Sequence, residues 1–313
     1  MVWKIGTLVP RGIGYARQIE EILKPGVQEA TDGLLSLKVY YGGVLGDDED
    51  YLRMIREGRL DGTGASAQGA LMACPEMGAL ALPFLFSGYD EVDYVKSRLF
   101  PVFDEMLRER ELKFLLWVDQ GFDQFYSVNR PVTSVEDMRR GRFLTWMGPM
   151  EQAFFRRLSA DFVHVEVPDF NDALRRGRAD AYLGPPIWAV ATQLYSVVKY
   201  INMTDVRYSP AMCTSSLSAW EALPGWCQEN IEKRLTTWQD AFCRASRRDN
   251  AKALEAMRQY GLTMARSTAE EKRRMKEMLA PLGQELAGDL YPPEVLEQIR
   301  GLLAEYRDKK ASR

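Results

Sequence analysis

Histidine is nearly missing from this chain: His164 stands alone among 313 residues. Cysteine is scarce too, and Cys74, Cys213, Cys227 and Cys243 show no CxxC spacing. A zinc centre is therefore not expected. The four thiols read as buried, with a Cys74–Cys213 bridge left open. His164 sits in the alternating segment Phe162–Val167 and reads as structural. No apolar run approaches the roughly 18–20 residues of a membrane span; Met77–Phe86 is short and broken by Pro83. There is no excess of one charge: 41 basic against 44 acidic side chains leave a formal −3, which gives no general pull toward nucleic acid or anionic membrane. The chain also lacks GxSxG, HExxH, a P-loop and a strand followed by GxGxxG, and no motif pairs its carboxylates. Enzymatic activity, a cofactor and a nucleic-acid partner are accordingly not expected. Repeats and low-complexity segments are absent as well.

What is present is ordinary for a folded protein: 46% hydrophobic and 27% charged residues over a length that suggests about two domains. Two stretches carry the clearest grammar. In Ser134–Trp146, Ser134 caps a short turn, Asp137 stands three residues on, Gly141 is placed to end the turn in a left-handed conformation, and Phe143–Trp146 reads as a strand. In Val167–Ala181, a helix from Asp169 stops at Gly177, and Ala179–Leu183 reads as a strand before the Gly184-Pro185-Pro186 corner.

The rest follows in order. Residues 3–9 and Leu35–Tyr41 read as strands, with Gly12–Gly14 as a turn and a helix from Tyr15 to Ala30 that Pro25 should kink. Gly43–Gly62 is a glycine turn, an acid-capped helix and a glycine stop, followed by a strand near Leu60–Ser66. A helix is expected over 89–110 and a strand over Leu112–Val118. Asp119–Gln124 reads as a crossing between domains, and Phe125–Asn129 as a new strand. Helices are expected at Met150–Leu158 and from Pro185. Val197–Asn202 and Tyr208–Leu217 read as separate strands. Apolar positions at helical spacing run from Pro224 to Ala265, with Arg247–Asn250 as a conceivable break, and two or three helices form the tail.

Four blocks, Gly43–Gly62, Leu80–Phe86, Asn129–Leu144 and Val167–Asp180, together resemble the DctP-type solute receptors of TRAP transporters. The resemblance covers nearly the whole chain. It implies an α/β, two-lobe fold like that of periplasmic binding proteins, with mixed sheets flanked by helices and one long helix spanning both lobes. It places lobe one at 1–118 plus 206–246 and lobe two at 119–205 plus 247–313. It implies capture of a small solute between the lobes and delivery to TRAP membrane permease subunits. It also implies a periplasmic protein whose export signal has been removed, free or held by a lipid anchor.

The chain departs from the family twice. In the family, an arginine near the end of the strand after the glycine forks a ligand carboxylate. Here Leu144 holds that position, and Arg142 lies two residues earlier, about 6–7 Å away on the same strand face. Where the family has Glu-Asn-Pro, this chain has Leu183-Gly184-Pro185. These departures suggest a largely apolar ligand held by Leu144, Trp146, Met147, Met150, Phe122, Tyr182, Gly184, Trp188 and Met212. Each side chain of this kind buried against ligand would be worth about 1.5–3 kcal/mol. Gln120 and Asp123 are the polar candidates. Such a receptor would suit a system with a tetratricopeptide-repeat partner. The alternatives are a sensor for a membrane signalling partner and a carboxylate receptor that uses Arg142.

Overall fold

The computed structural model describes residues 1–12, 14–166 and 169–312. Ile13, within the expected Gly12–Gly14 turn, and Val167 and Pro168, at the head of the second sequence signal, lie outside the described residues. The strands among the described residues are β1 (Val2–Thr7), β2 (Ser36–Tyr40), β3 (Gly62–Ala65), β4 (Leu112–Ser127), β5 (Arg142–Thr145), β6 (Asp161–His164), β7 (Ala181–Gly184), β8 (Tyr200–Ser216) and β9 (Thr263–Ala265). The chain forms two compact units. The first comprises Met1–Cys74, Phe100–Gln120 and Pro210–Asp249; the second comprises Pro75–Leu99, Gly121–Ser209 and Asn250–Arg313. The division differs from the expected boundaries chiefly at Pro75–Leu99, which clusters with the second unit.

In the first unit, β1 lies parallel to both β2 and β3, with Ile5 opposite Val39 and Gly6 opposite Thr63. β3 runs antiparallel to the last part of β8, Gly64 facing Cys213. The expected kink at Pro25 takes a specific form. Pro25 has no N–H to give the preceding turn, and the helix opens into a π-turn over Ile19–Leu23 before resuming at Lys24–Ala30. Ile19 and Leu23 reach the core with Trp3, Leu116 and Trp220. A small apolar cavity of about 70 Å³ remains there, lined by Leu23, Leu116, Cys213 and Trp238 among others. The helix Asp48–Arg56 begins with a full capping box between Asp47 and Asp50. Gly46, at φ +112°, must be glycine, because a Cβ would stand 2.1 Å from the Asp50 carboxylate.

In the second unit, β5 is central, parallel to β6 and β7, and β7 is antiparallel to the last residues of β4, Phe125 facing Leu183. β9 adds in parallel to the start of β8. The helices Val135–Arg139, Pro149–Arg157 and Phe170–Arg175 alternate with these strands, and the tail supplies Ala269–Leu279, Leu282–Leu286 and Pro293–Ala311. The capping box of Ser134 and Asp137 forms as expected.

The structure departs from the sequence reading in three places. Asp119–Gln124 is no loop: β4 continues through it unbroken. β8 is likewise one strand where two were expected. Gly141 ends its helix without a positive φ, and a Cβ there would meet the Phe143 ring at 3.0 Å. As the apolar spacing predicts, the helix Gly225–Tyr260 runs unbroken through Arg247–Asn250, and its 36 residues make it about 54 Å long. The polar residues of that stretch are in use: Asp249 accepts from Gln18 Nε2 at 3.1 Å, and Asn250 Oδ1 accepts from the Ile187 N–H at 3.0 Å. The four cysteines are free. No described helix is long and apolar enough to cross a membrane, and the described residues contain no cluster able to hold a metal ion.

Candidate binding site

A buried strand interior is an unusual place for a charge, and β8 carries one: Arg207, between Val206 and Tyr208. Its side chain is 1% exposed and lies wholly within the second unit. Burying a guanidinium is costly unless its donors are met. Two carboxylates meet them along one edge. Nε donates to Asp123 Oδ2 at 2.6 Å, and Nη2 donates to Glu151 Oε1 at 2.7 Å. Both acids are fully buried.

Each acid has its own anchors. Asp123 comes from the part of β4 that the sequence suggested was a loop, and Ser209 Oγ donates to its Oδ2 at 2.8 Å. Glu151 stands in the first turn of the helix Pro149–Arg157 and reaches back to the segment after β5, where its Oε2 accepts the backbone N–H groups of Trp146 at 2.7 Å and Met147 at 3.1 Å. Glu151 thus ties the end of β5 to Arg207.

The arrangement is incomplete in a particular way. Arg207 Nη1 and Asp123 Oδ1 are buried and have no hydrogen-bond partner, and the same holds for the hydroxyls of Tyr126 and Tyr182. Buried polar atoms of this kind normally find partners, so this group of four invites a ligand. Burial pushes the Asp123 carboxyl above the usual carboxylate range, against the pull of Arg207. Burial alone would lower the Arg207 guanidinium, but the Glu151 and Asp123 charges outweigh it and hold it ionised. Burial raises both tyrosines well above their ordinary range, and the Asp123 charge adds to this, so they stay neutral donors.

Next to this polar centre is an aromatic wall. Trp146 stacks on Trp188 at 5.6 Å, and its Nε1 donates to the Leu183 carbonyl at 3.0 Å. Trp188 stands edge-on to Tyr182 and Phe170, and Tyr182 stacks on Tyr126 at 4.6 Å. Gly184 leaves room for this, since a Cβ there would come 3.3 Å from the Trp188 ring. Met147 Sδ lies 3.9 Å from Ser209 Oγ. Of the candidates named from sequence, Trp146, Met147, Tyr182, Gly184, Trp188 and Asp123 therefore fall around one centre.

The others are placed differently. Leu144 is fully buried in β5, and Met150 is buried in the helix after it. Phe122 is buried against Tyr89 and Tyr208. Gln120 and Met212 belong to the first unit: Gln120 Oε1 accepts from the Ala67 N–H at 2.9 Å, and Met212 pairs with Ala65 in the sheet. Arg142 points to solvent, 55% exposed and paired with Asp161 at 2.8 Å, so a clamp role for it has no geometric support. His164 is exposed on β6. Sequence reasoning missed Arg207, Glu151, Ser209 and Tyr126. The one signal for them was an arginine set between the apolar Val206 and Tyr208.

The family model DctP, described as bacterial extracellular solute-binding protein, family 7, matches residues 16–289. Among curated relatives, the C4-dicarboxylate-binding periplasmic protein DctP of Rhodobacter capsulatus is 23% identical, over 95% of this chain and 88% of its own. The uncharacterized protein y4mM of Sinorhizobium fredii is 28% identical over 79% of this chain, which spans 48% of that longer protein. Among solved structures, the sugar acid binding protein DctPAm of Advenella mimigardefordensis, in complex with galactonate, superposes with a TM-score of 0.90 at 20% identity, covering 97% of this chain and 98% of its own. A TRAP periplasmic solute binding protein of Desulfovibrio salexigens with bound orotic acid gives 0.89 at 19% identity, over 97% and 99%. At these identities the likeness establishes the fold, the mixed α/β fold of two-lobe periplasmic binding proteins.

Proposed function

The chain belongs to the DctP family, the bacterial extracellular solute-binding proteins of family 7, and from that premise we propose that it is a periplasmic receptor for a small organic acid with a planar or apolar body, which it delivers to a TRAP-type membrane permease. The two units serve as the receptor's lobes. The observation that carries the choice of solute is Arg207 Nη1, a charged donor that is buried and unpartnered in the second unit. A wholly apolar solute, suggested by Leu144 in place of the usual arginine, would leave that donor and the two tyrosine hydroxyls unmet, at about 1–3 kcal/mol each. A carboxylate oxygen meets the guanidinium, and the Trp146–Trp188 stack offers a flat apolar surface to the remainder of the molecule. The acids named in the neighbours' structures, galactonate and orotic acid, are of the same charge class. The repeat-protein partner followed from a site without arginine and does not extend to this one.

The test is a thermal-shift screen with galactonate, orotate, benzoate and neutral indole, repeated in Trp146→Ala. Stabilisation by one of the acids and not by indole, weakened about tenfold in apparent affinity in Trp146→Ala, is expected. Stabilisation by indole alone would refute the acid reading.

A further inference from the structure

Resting on that reading, the charges of the site raise a question of balance. One guanidinium faces two carboxylates. Glu151 is fully supplied, with three donors from Arg207, Trp146 and Met147. Asp123 is not, since both of its donors go to Oδ2 and Oδ1 has none. An incoming carboxylate would bring a third negative charge beside a single positive one, away from water. Two like charges that share such a space cannot both stay ionised cheaply. We propose that a carboxylate binding beside Arg207 is accompanied by one proton, taken from solvent onto Asp123 Oδ1. The only bond formed is that O–H. The protonated carboxyl then carries no charge to repel the incoming anion, and it presents a donor where it had presented a lone pair.

The groups around Asp123 leave no other acceptor for this proton. Arg207 and Ser209 on β8 are donors to it, and Glu151, from the helix Pro149–Arg157, already accepts three hydrogen bonds, so both of its oxygens are occupied. Tyr126 of β4 and Tyr182 of β7 feel its charge and stay neutral. Burial already favours the protonated form of Asp123.

Titration calorimetry with benzoate at neutral pH, in phosphate and in Tris, tests this directly on the native protein. The two buffers differ in ionisation heat, so uptake of one proton per benzoate appears as a difference between the two observed enthalpies. Affinity should also rise by about tenfold per pH unit lowered while Asp123 is the group that titrates. In Asp123→Asn, binding should lose both the buffer dependence and the slope with pH. Binding of benzoate with equal heats in both buffers and flat affinity across neutral pH would overturn the proton, leaving the acid receptor intact. If benzoate, galactonate and orotate all fail to bind, the acid receptor falls and the proton with it.

Discussion

Replacing Arg207 by methionine keeps an apolar stem of similar length and removes the guanidinium. Asp123 then loses its 2.6 Å partner and Glu151 its 2.7 Å partner, both in fully buried surroundings. Breaking one buried ion pair from one side costs about 3–5 kcal/mol, because a charge is left without compensation. Two are broken here, but the costs do not simply add. Glu151 keeps two backbone donors, and Asp123 keeps Ser209 and can discharge itself by taking a proton. The expected loss at neutral pH is therefore about 5 kcal/mol, the top of the range for one pair. The sign of its pH dependence follows from Asp123. Its folded pKa is already raised, and loss of Arg207 raises it further, so the penalty grows as pH rises through that value and shrinks toward acid. Urea unfolding followed by tryptophan emission, at pH 7 and at pH 5, measures both quantities. The double variant with Asp123→Asn should regain a substantial part of the loss. A cost under about 1 kcal/mol, or one that does not change with pH, would refute the view of Arg207 as the charge that holds this centre together.

Two further outcomes follow from the same physics. Arg142→Ala should change both stability and solute affinity little, because its pair with Asp161 is more than half exposed on both sides and worth at most about 1 kcal/mol; a large loss of binding would restore Arg142 to the site. In the first unit, burial pushes the Asp48 carboxyl up from 3.8 to about 6, against hydrogen bonds from Ser66. A raised carboxyl stabilises the fold below its unfolded pKa, and that contribution, roughly 3 kcal/mol, is lost as pH rises through about 6. Asp48→Asn should therefore flatten the decline in urea midpoint over that window, and an unchanged profile would count against a protonated Asp48.

Much of the fold was legible because local chemistry decided it. Asp47 and Ser134 had capping partners three residues away, and the long helix kept its apolar spacing throughout. The candidate centre was legible only at its aromatic edge. β4 was hidden because Asp119, Asp123 and Gln124 interrupt the apolar pattern of a strand, and their partners Arg247, Arg207 and Asp205 are supplied only by the folded chain. Arg207 was hidden for the same reason: its two acids lie 84 and 56 residues away in sequence. Leu144, by contrast, was read correctly as apolar. What it could not show is that a guanidinium reaches the same unit's interior from a different strand, β8.

Glu151 holds two things at once, the main chain after β5 and the guanidinium on β8. This has a consequence for how such a receptor can change over generations. Neither position 151 nor position 207 can drift alone without stranding the other, so the pair must be inherited or exchanged as a unit. Trp146 and Trp188 are held by stacking and by one indole hydrogen bond to a backbone carbonyl, which no side chain elsewhere has to match. New solute preferences are therefore most accessible by altering the aromatic wall while the charged centre is passed on intact.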